Sequence, residues 1–127
     1  GRIPMILDTS AWVEFIEGTE KGRIVRSILE REENFTSLAT IAELAQWCLR
    51  NSREETAAIE DVKRISQILP LTETISRMAG RMNYERKKAG IKWGMMDSII
   101  AATAQVYGLK ILTTDKGFRD LAEAEIL

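Results

Sequence analysis

The sequence predicts an α/β fold, in which a parallel central sheet of four to five strands carries helices on both faces. Short apolar runs typical of buried strands alternate with longer segments whose apolar residues recur every three or four positions. Glycine or proline separates several of these segments. With 127 residues, 45% of them hydrophobic and 29% charged, the chain fits one globular domain spanning residues 1–127.

The first half of the chain contains two predicted strands and three predicted helices. Residues 5–7 form an apolar strand, and the short helix after them closes at Gly18, a residue that favours helix ends. Residues 19–33 have the apolar stripe of an amphipathic helix. The run "NFTS", residues 34–37, predicts a second strand, and residues 38–50 predict a third helix.

The second half continues the alternation. A helix is predicted from residue 53 to residue 68 and ends before Pro70, with a brief strand at "LPL". Thr72 is a suitable N-cap for the next helix, which stops at Gly90. The remaining predicted elements are a loop at "IKWGM", a helix opened by Asp97 and closed by Gly108, a strand at "KILTT", a helical turn at "KGFRDL" and a last strand at "AEIL".

Residue types that are rare or missing exclude several classes of function. The chain has no histidine, which excludes Ser-His-Asp catalysis and histidine metal sites. Because Cys48 is its only cysteine, the chain cannot form a cysteine zinc cluster. We expect Cys48 to be a buried helix residue and the protein to belong to the reducing cytoplasm. We expect no signal peptide and no membrane association, and "GRIP" before Met5 is expected to be partly a cloning remnant. The net charge of −1 does not by itself indicate a polyanionic partner.

Four acidic residues are predicted to meet at one edge of the sheet. Asp8 and Asp115 each follow an apolar strand, Asp97 lies at a helix start, and Glu43 lies in the first turns of the helix after the second strand. Because the loops at the carboxyl ends of parallel strands converge on one crevice, these side chains should lie close together. An all-oxygen site of this kind selects a hard cation, Mg²⁺ or Mn²⁺. Hydroxyl groups that would orient the carboxylates are those of Ser10 and Thr113.

Each acid also has a simpler explanation. Asp97 could stabilise a helix N-terminus, and "TIAE", residues 40–43, matches a capping box. Asp8 and Asp115 could be turn residues that end strands. The joint occurrence of four acids beside apolar segments favours the shared site over four separate explanations.

A basic stretch, "RMNYERKKAGIKWG", precedes Asp97 and is a candidate RNA-binding segment. Lys and Arg side chains can hold phosphates while an aromatic ring stacks on an unpaired base. The alternative is a solvated helix end whose cations are favoured by the helix dipole, and the sequence does not choose between the two. The candidate RNA-contacting residues are Arg81, Arg86, Lys87, Lys88, Lys92 and Trp93. Trp12 and Phe15 are expected to face the core or a partner protein.

The segments "MILDTSAW", "TIAELAQ" and "MMDSIIAATAQVYGLKILTTDKGF" together resemble the PIN domain, and most of all the VapC-type toxins of toxin–antitoxin pairs. The resemblance places the acidic quartet of that family on Asp8, Glu43, Asp97 and Asp115, and its supporting hydroxyls on Ser10 and Thr113. It places an aromatic residue at Phe118. It implies Mg²⁺- or Mn²⁺-dependent cleavage of single-stranded or loop RNA, a homodimer and a small antitoxin partner.

Two other functions remain open at this point. One is a non-catalytic RNA- or partner-binding module that retains the acids. The other is a phospho-acceptor receiver domain, which is also doubly wound and binds Mg²⁺ in an acidic pocket. A receiver would need adjacent acids after the first strand, whereas here Thr9 follows Asp8.

Overall fold

The computed structural model describes residues 2–127 and contains five strands and six helices. The strands are β1 (Pro4–Leu7), β2 (Glu33–Ser37), β3 (Gln67–Leu69), β4 (Lys110–Thr113) and β5 (Ala124–Ile126). The helices are α1 (Thr9–Glu17), α2 (Glu20–Arg31), α3 (Leu38–Arg50), α4 (Glu55–Ile65), α5 (Glu73–Lys88) and α6 (Met95–Tyr107), with a 3₁₀ turn at Lys116–Phe118. Gly1 of "GRIP" lies outside the described residues, and Pro4 already belongs to β1.

All five strands are parallel and lie in the order β3-β2-β1-β4-β5, which confirms the predicted sheet. In the central pair, Leu7 at the end of β1 lies beside Leu112 of β4. The backbone N–H of Asp8 then donates to the carbonyl of Leu112 at 3.2 Å. The residues that follow β1 and β4 are therefore adjacent.

Alternate residues of the central strands face two separate cores, so helices cover both faces of the sheet. Leu7 and Leu112 pack with side chains of α1 to α4. Ile6 and Ile111 pack with α6 and with Phe118. Trp12 of α1 is fully buried in the first core, where its indole N–H donates to the Thr36 hydroxyl at 3.1 Å.

The predicted boundaries between residues 53 and 71 were wrong. Helix α4 ends at Ile65, and the strand is Gln67–Leu69 rather than "LPL". The Ser66 hydroxyl bonds to the Val62 carbonyl at 2.8 Å and to the Thr36 hydroxyl at 2.7 Å, and the chain then extends along β2. The run up to Leu69 satisfies both helix and strand spacing, and pairing with β2 decides in favour of a strand. Because it has no N–H, Pro70 cannot continue the ladder.

The predicted start of α6 was also displaced. The helix begins at Met95 with Gly94 as N-cap, so Asp97 lies inside the first turn. The predicted helix ends at Gly18 and Gly108 are confirmed, and both glycines have the left-handed backbone conformation, with φ of 66°.

Candidate active site

The structure brings all four predicted acids to one cleft at the carboxyl edge of the sheet. The cleft has a volume of about 270 Å³. It is lined by Asp8, Thr9, Ser10, Glu43, Met96, Asp97, Ile100 and Asp115. Residues from the loop after β1, from α3, from α6 and from the loop after β4 therefore share one small space.

Asp8 is the most buried of the four acids, with 6% of its surface exposed. It is the N-cap of α1, and its Oδ1 accepts from the Ala11 N–H at 3.0 Å. Ser10 also donates to Oδ1, at 2.6 Å, and the Thr113 hydroxyl donates to Oδ2 at 2.5 Å. Three donors thus offset part of the cost of removing this carboxylate from water.

The two predicted supporting hydroxyls also connect the ends of β1 and β4. The Thr113 hydroxyl accepts from the Asp115 N–H, and the Ser10 hydroxyl accepts from the Thr114 N–H, both at 2.9 Å. Each hydroxyl therefore donates to Asp8 and accepts from the backbone that leads to or includes Asp115. This pair of bridges fixes Asp8 relative to the segment that carries Asp115.

Glu43 reaches the cleft from α3. Its Oε1 accepts from the Thr9 hydroxyl at 2.5 Å. The alternative capping box at residues 40–43 is not formed, because α3 begins at Leu38 and Ser37 is its N-cap. Sequence reasoning did not identify Thr9 as a partner of Glu43. The one feature that could have indicated it is the hydroxyl side chain directly after Asp8.

Asp97 and Asp115 each use one carboxylate oxygen locally. Asp97 Oδ2 accepts from the Gly94 N–H at 2.9 Å, so this side chain does cap its helix while it lines the cleft. Asp115 Oδ1 accepts from the Gly117 N–H at 2.8 Å. The simpler explanation for each acid is therefore compatible with a place in the shared cleft.

Burial and mutual repulsion act on two of these carboxyl groups. Burial raises the pKa of Asp8 above its ordinary value, the bonds from Ser10, Thr113 and Ala11 oppose that rise, and the charge of Asp97 adds to it. Burial also raises the pKa of Asp97. The Gly94 hydrogen bond opposes this second rise, and the charges of Asp115 and Glu43 add to it. The cleft is thus a region where added positive charge is favourable.

The donor set of the cleft fits a hard divalent cation. Its polar side-chain atoms are carboxylate and hydroxyl oxygens, with no nitrogen or thiol ligand beside the weakly coordinating thioether of Met96. Within residues 2–127, no three His, Cys, Asp or Glu side chains stand close enough together to enclose an ion. Mg²⁺ does not need such an enclosure, because it binds through one or two carboxylates and keeps several waters.

Comparison with known proteins identifies the fold family. The family model of the PIN domain matches residues 5–124. The chain belongs to the PIN domain family. A comparison with curated protein sequences gives no match.

Solved structures similar to this PIN domain include toxin–antitoxin proteins. VapBC2 from Rickettsia felis, bound to a promoter DNA fragment, has a chain with a TM-score of 0.77 and 14% identity over 98% of each chain. VapC20 from Mycobacterium tuberculosis, described as a sarcin–ricin loop cleaving toxin, has a TM-score of 0.75 and 15% identity over 93% of this chain and 95% of that one. VapBC-5 from the same organism has a TM-score of 0.69 and 26% identity over 98% and 97%. The fold is that of VapC toxins.

The predicted RNA-contacting residues of this PIN domain divide into two groups. Arg86 is buried, its guanidinium lies 3.7 Å from the centroid of the Trp93 ring, and it is paired with Asp120. Trp93 is half-buried and packs against Phe118 with ring centroids 5.3 Å apart. Arg86 and Trp93 therefore hold the end of α5 against the 3₁₀ turn. The residues that are exposed, as RNA contacts would require, are Arg81, Lys87, Lys88 and Lys92.

A larger groove of about 490 Å³ lies between α1, α2 and α4. Apolar side chains, including Phe15, Leu29 and Ile65, line it together with charged residues of both signs. Phe15 thus lines a surface groove, whereas Trp12 belongs to the core. None of the helices in the described part of the PIN domain is long and apolar enough to span a bilayer.

Proposed function

We propose that this protein is a Mg²⁺- or Mn²⁺-dependent endoribonuclease that cleaves single-stranded or loop RNA and acts as the toxin of a type II toxin–antitoxin pair. The observation that carries the proposal is the single cleft that holds four carboxylates in a VapC-like PIN domain. The description of VapC20 as an RNA-loop-cleaving toxin is consistent with it.

The side chains of the cleft have distinct proposed roles. Asp8, Asp97 and Asp115 would hold the cation, one or two of them directly and the others through its bound waters. The cation would neutralise charge on the phosphate and increase the acidity of water. Glu43, held by Thr9, orients the attacking water, accepts its proton or completes a second metal site. Ser10 and Thr113 keep the Asp8 carboxylate in one orientation. Hydrolysis adds water to phosphorus and breaks one phosphorus–oxygen bond of the RNA backbone.

The decisive experiment is an RNA cleavage assay with added Mg²⁺, with Mn²⁺ and with excess EDTA. We expect cleavage with either ion, none in EDTA, and none from Asp8→Asn with any ion. Cleavage that persists after exhaustive chelation would contradict the metal mechanism, because a cleft whose strong ligands are carboxylate oxygens needs a hard ion. RNA binding by the wild type without cleavage in any ion would favour the non-catalytic module instead.

The phospho-acceptor function receives less support from the geometry. Asp8 is buried and both its oxygens already accept hydrogen bonds. Labelling with acetyl phosphate tests this alternative, and we expect no incorporation.

RNA binding by the exposed part of the basic stretch is tested separately. Replacing Lys87, Lys88 and Lys92 with Gln should weaken RNA affinity and flatten its dependence on salt, because phosphate contacts release counterions. The affinity should be measured across a salt series, and unchanged affinity at every salt concentration would return the stretch to a solvated helix end.

We also propose a small antitoxin as partner, together with a homodimer in solution. Structures similar to this chain include toxin–antitoxin complexes. The groove between α1, α2 and α4 is suited to an antitoxin segment with apolar and charged side chains, because it has both kinds of lining. The product of the neighbouring reading frame should copurify with the wild type and should be lost from Leu29→Arg. Size-exclusion chromatography of each protein checks the dimer.

A further inference from the structure

A second cleft adjoins the acidic one. It has a volume of about 560 Å³ and lies between the loop after α5 and the segment that follows β4. Asp115 lines both clefts. The two clefts therefore meet at Asp115, where a polymer bound at the four acids could extend from one cleft into the other.

The second cleft carries unneutralised positive charge. Lys92, Lys116 and Arg119 line it and are exposed. Among residues 2–127, none of these three side chains takes part in a salt bridge. Of the two acids that line the second cleft, Asp120 is paired with Arg86, and the single charge of Asp115 leaves the three cations in excess. The surplus charge is therefore free to hold an anionic ligand.

The cleft floor is fixed in shape from below. Buried Arg86 donates to the Gly117 carbonyl at 3.0 Å and to both oxygens of Asp120 at 2.8 and 2.9 Å. A side chain at Gly117 would meet Asp115 Oδ1 at 3.1 Å, so the turn runs close against this acid. Lys116 and Arg119 therefore lie on a turn that the hydrogen bonds of Arg86 hold in place.

We propose that this second cleft is a subsite for the RNA backbone, in which Lys92, Lys116 and Arg119 bind phosphates flanking the one that is cleaved. The proposal rests on the ribonuclease function proposed above and specifies the path of its substrate. Cations arranged along a groove that leads to a catalytic centre are the usual means of holding single-stranded backbone without reading its sequence.

The test compares Lys116→Gln/Arg119→Gln with a matched control, Lys21→Gln/Arg23→Gln. Both variants lose one lysine and one arginine, and the control residues are exposed on α2, which packs against α1. The first measurement is the affinity for a labelled single-stranded RNA of about 12 nucleotides in EDTA, where cleavage should stop. The RNA affinity of Lys116→Gln/Arg119→Gln, the cleft variant, should be about tenfold lower than that of the wild type at low salt and should depend less on salt. The RNA affinity of the control should equal that of the wild type.

The second measurement is kcat/KM for an RNA that extends well past the cut on both sides, relative to one shortened to the nucleotides around the cut. The wild type and the control should prefer the long RNA, and the cleft variant should lose most of that preference. A cleft variant equal to the control in affinity and in preference would overturn the subsite. If the wild type cleaves neither RNA, the proposed nuclease function fails, whereas the affinity measurement still tests the subsite.

Discussion

Arg86 and Asp120 form a two-point ion pair, in which Nη1 lies 2.8 Å from Oδ2 and Nη2 lies 2.9 Å from Oδ1. The hydrogen bonds from Arg86 hold the pKa of Asp120 below its ordinary value. Arg86 also donates to the Gly117 carbonyl, while the Gly117 N–H donates to Asp115. A residue predicted to contact RNA thus braces the turn that carries an acid of the cleft.

Arg86→Lys should lower the free energy of unfolding by about 2 kcal/mol, because lysine cannot make the planar two-point contact or the stack on Trp93. Urea denaturation measures the change. The control is Arg77→Lys, whose pair with Glu73 is exposed at 3.7 Å and should change stability by less than about 0.5 kcal/mol. Equally small changes in the free energy of unfolding of both variants would show that Arg86 does not stabilise the turn.

Asp97→Asn should separate stability from activity. The amide oxygen can still accept from the Gly94 N–H, while the repulsion from the other acids is removed. In EDTA the variant should be no less stable than the wild type, and more stable by about 1 kcal/mol if repulsion outweighs the favourable helix dipole. It should lose metal-dependent cleavage, and Mg²⁺ should raise its melting temperature much less than that of the wild type.

Asp97→Ala is the matched control, since it removes the charge and the cap together. We expect it to be less stable than Asp97→Asn by about 1 kcal/mol, the usual contribution of a helix cap. Thermal melts of the three proteins with EDTA and with Mg²⁺ measure both effects. A destabilised and fully active Asp97→Asn would show that this residue only caps its helix.

The difference in stability between the wild type and Asp97→Asn should change with pH in a definite direction. Because the pKa of Asp97 is raised in the folded protein, its carboxyl group binds more protons when folded than when unfolded over the range between the two pKa values. The wild type should therefore gain stability relative to Asp97→Asn as the pH falls from neutral toward 3.8, the ordinary value. Urea denaturation in EDTA at several pH values checks this, and a gap that widens on acidification would contradict the sign.

Thr113→Val should reduce cleavage by about 10- to 100-fold, the usual cost of removing a partner that orients a metal ligand. Valine keeps the shape but removes the donor to Asp8 Oδ2 and the acceptor for the Asp115 N–H. Thr113→Ser, which keeps the hydroxyl, is the control and should retain most activity. Steady-state cleavage rates at several Mg²⁺ concentrations measure both variants, and equal losses would assign Thr113 to packing alone.

Gly22→Ala should destabilise the fold by more than about 2 kcal/mol, because the added Cβ would lie 2.0 Å from the Glu14 carbonyl oxygen. Gly80→Ala in α5 is the control, since a Cβ there meets nothing within 4 Å. That substitution should stabilise the protein by about 0.5–1 kcal/mol through helix propensity. Chemical denaturation of both variants tests the close contact between α1 and α2. Similar changes in the free energy of unfolding of the two variants would contradict it.

The sequence by itself determined the alternation of strands and helices, the helix ends at Gly18 and Gly108, and the positions of the four acids next to their elements. These features follow from repeats of two or 3.6 residues and from capping preferences, which depend on near neighbours in the chain. Because parallel strands place their carboxyl ends together, this local information sufficed to expect one acidic cleft.

The tertiary structure decided features that depend on contacts between distant residues. Ile68 and Leu69 fit a helix or a strand, and pairing with β2 selected the strand. In the sequence, Arg86 does not differ from the exposed basic residues around it. It is buried because it contacts Trp93 and Asp120, which lies 34 residues later. The second cleft is positively charged because the fold places Lys116 and Arg119 beside Lys92. Such choices come from packing and charge pairing across the fold, which local spacing does not record.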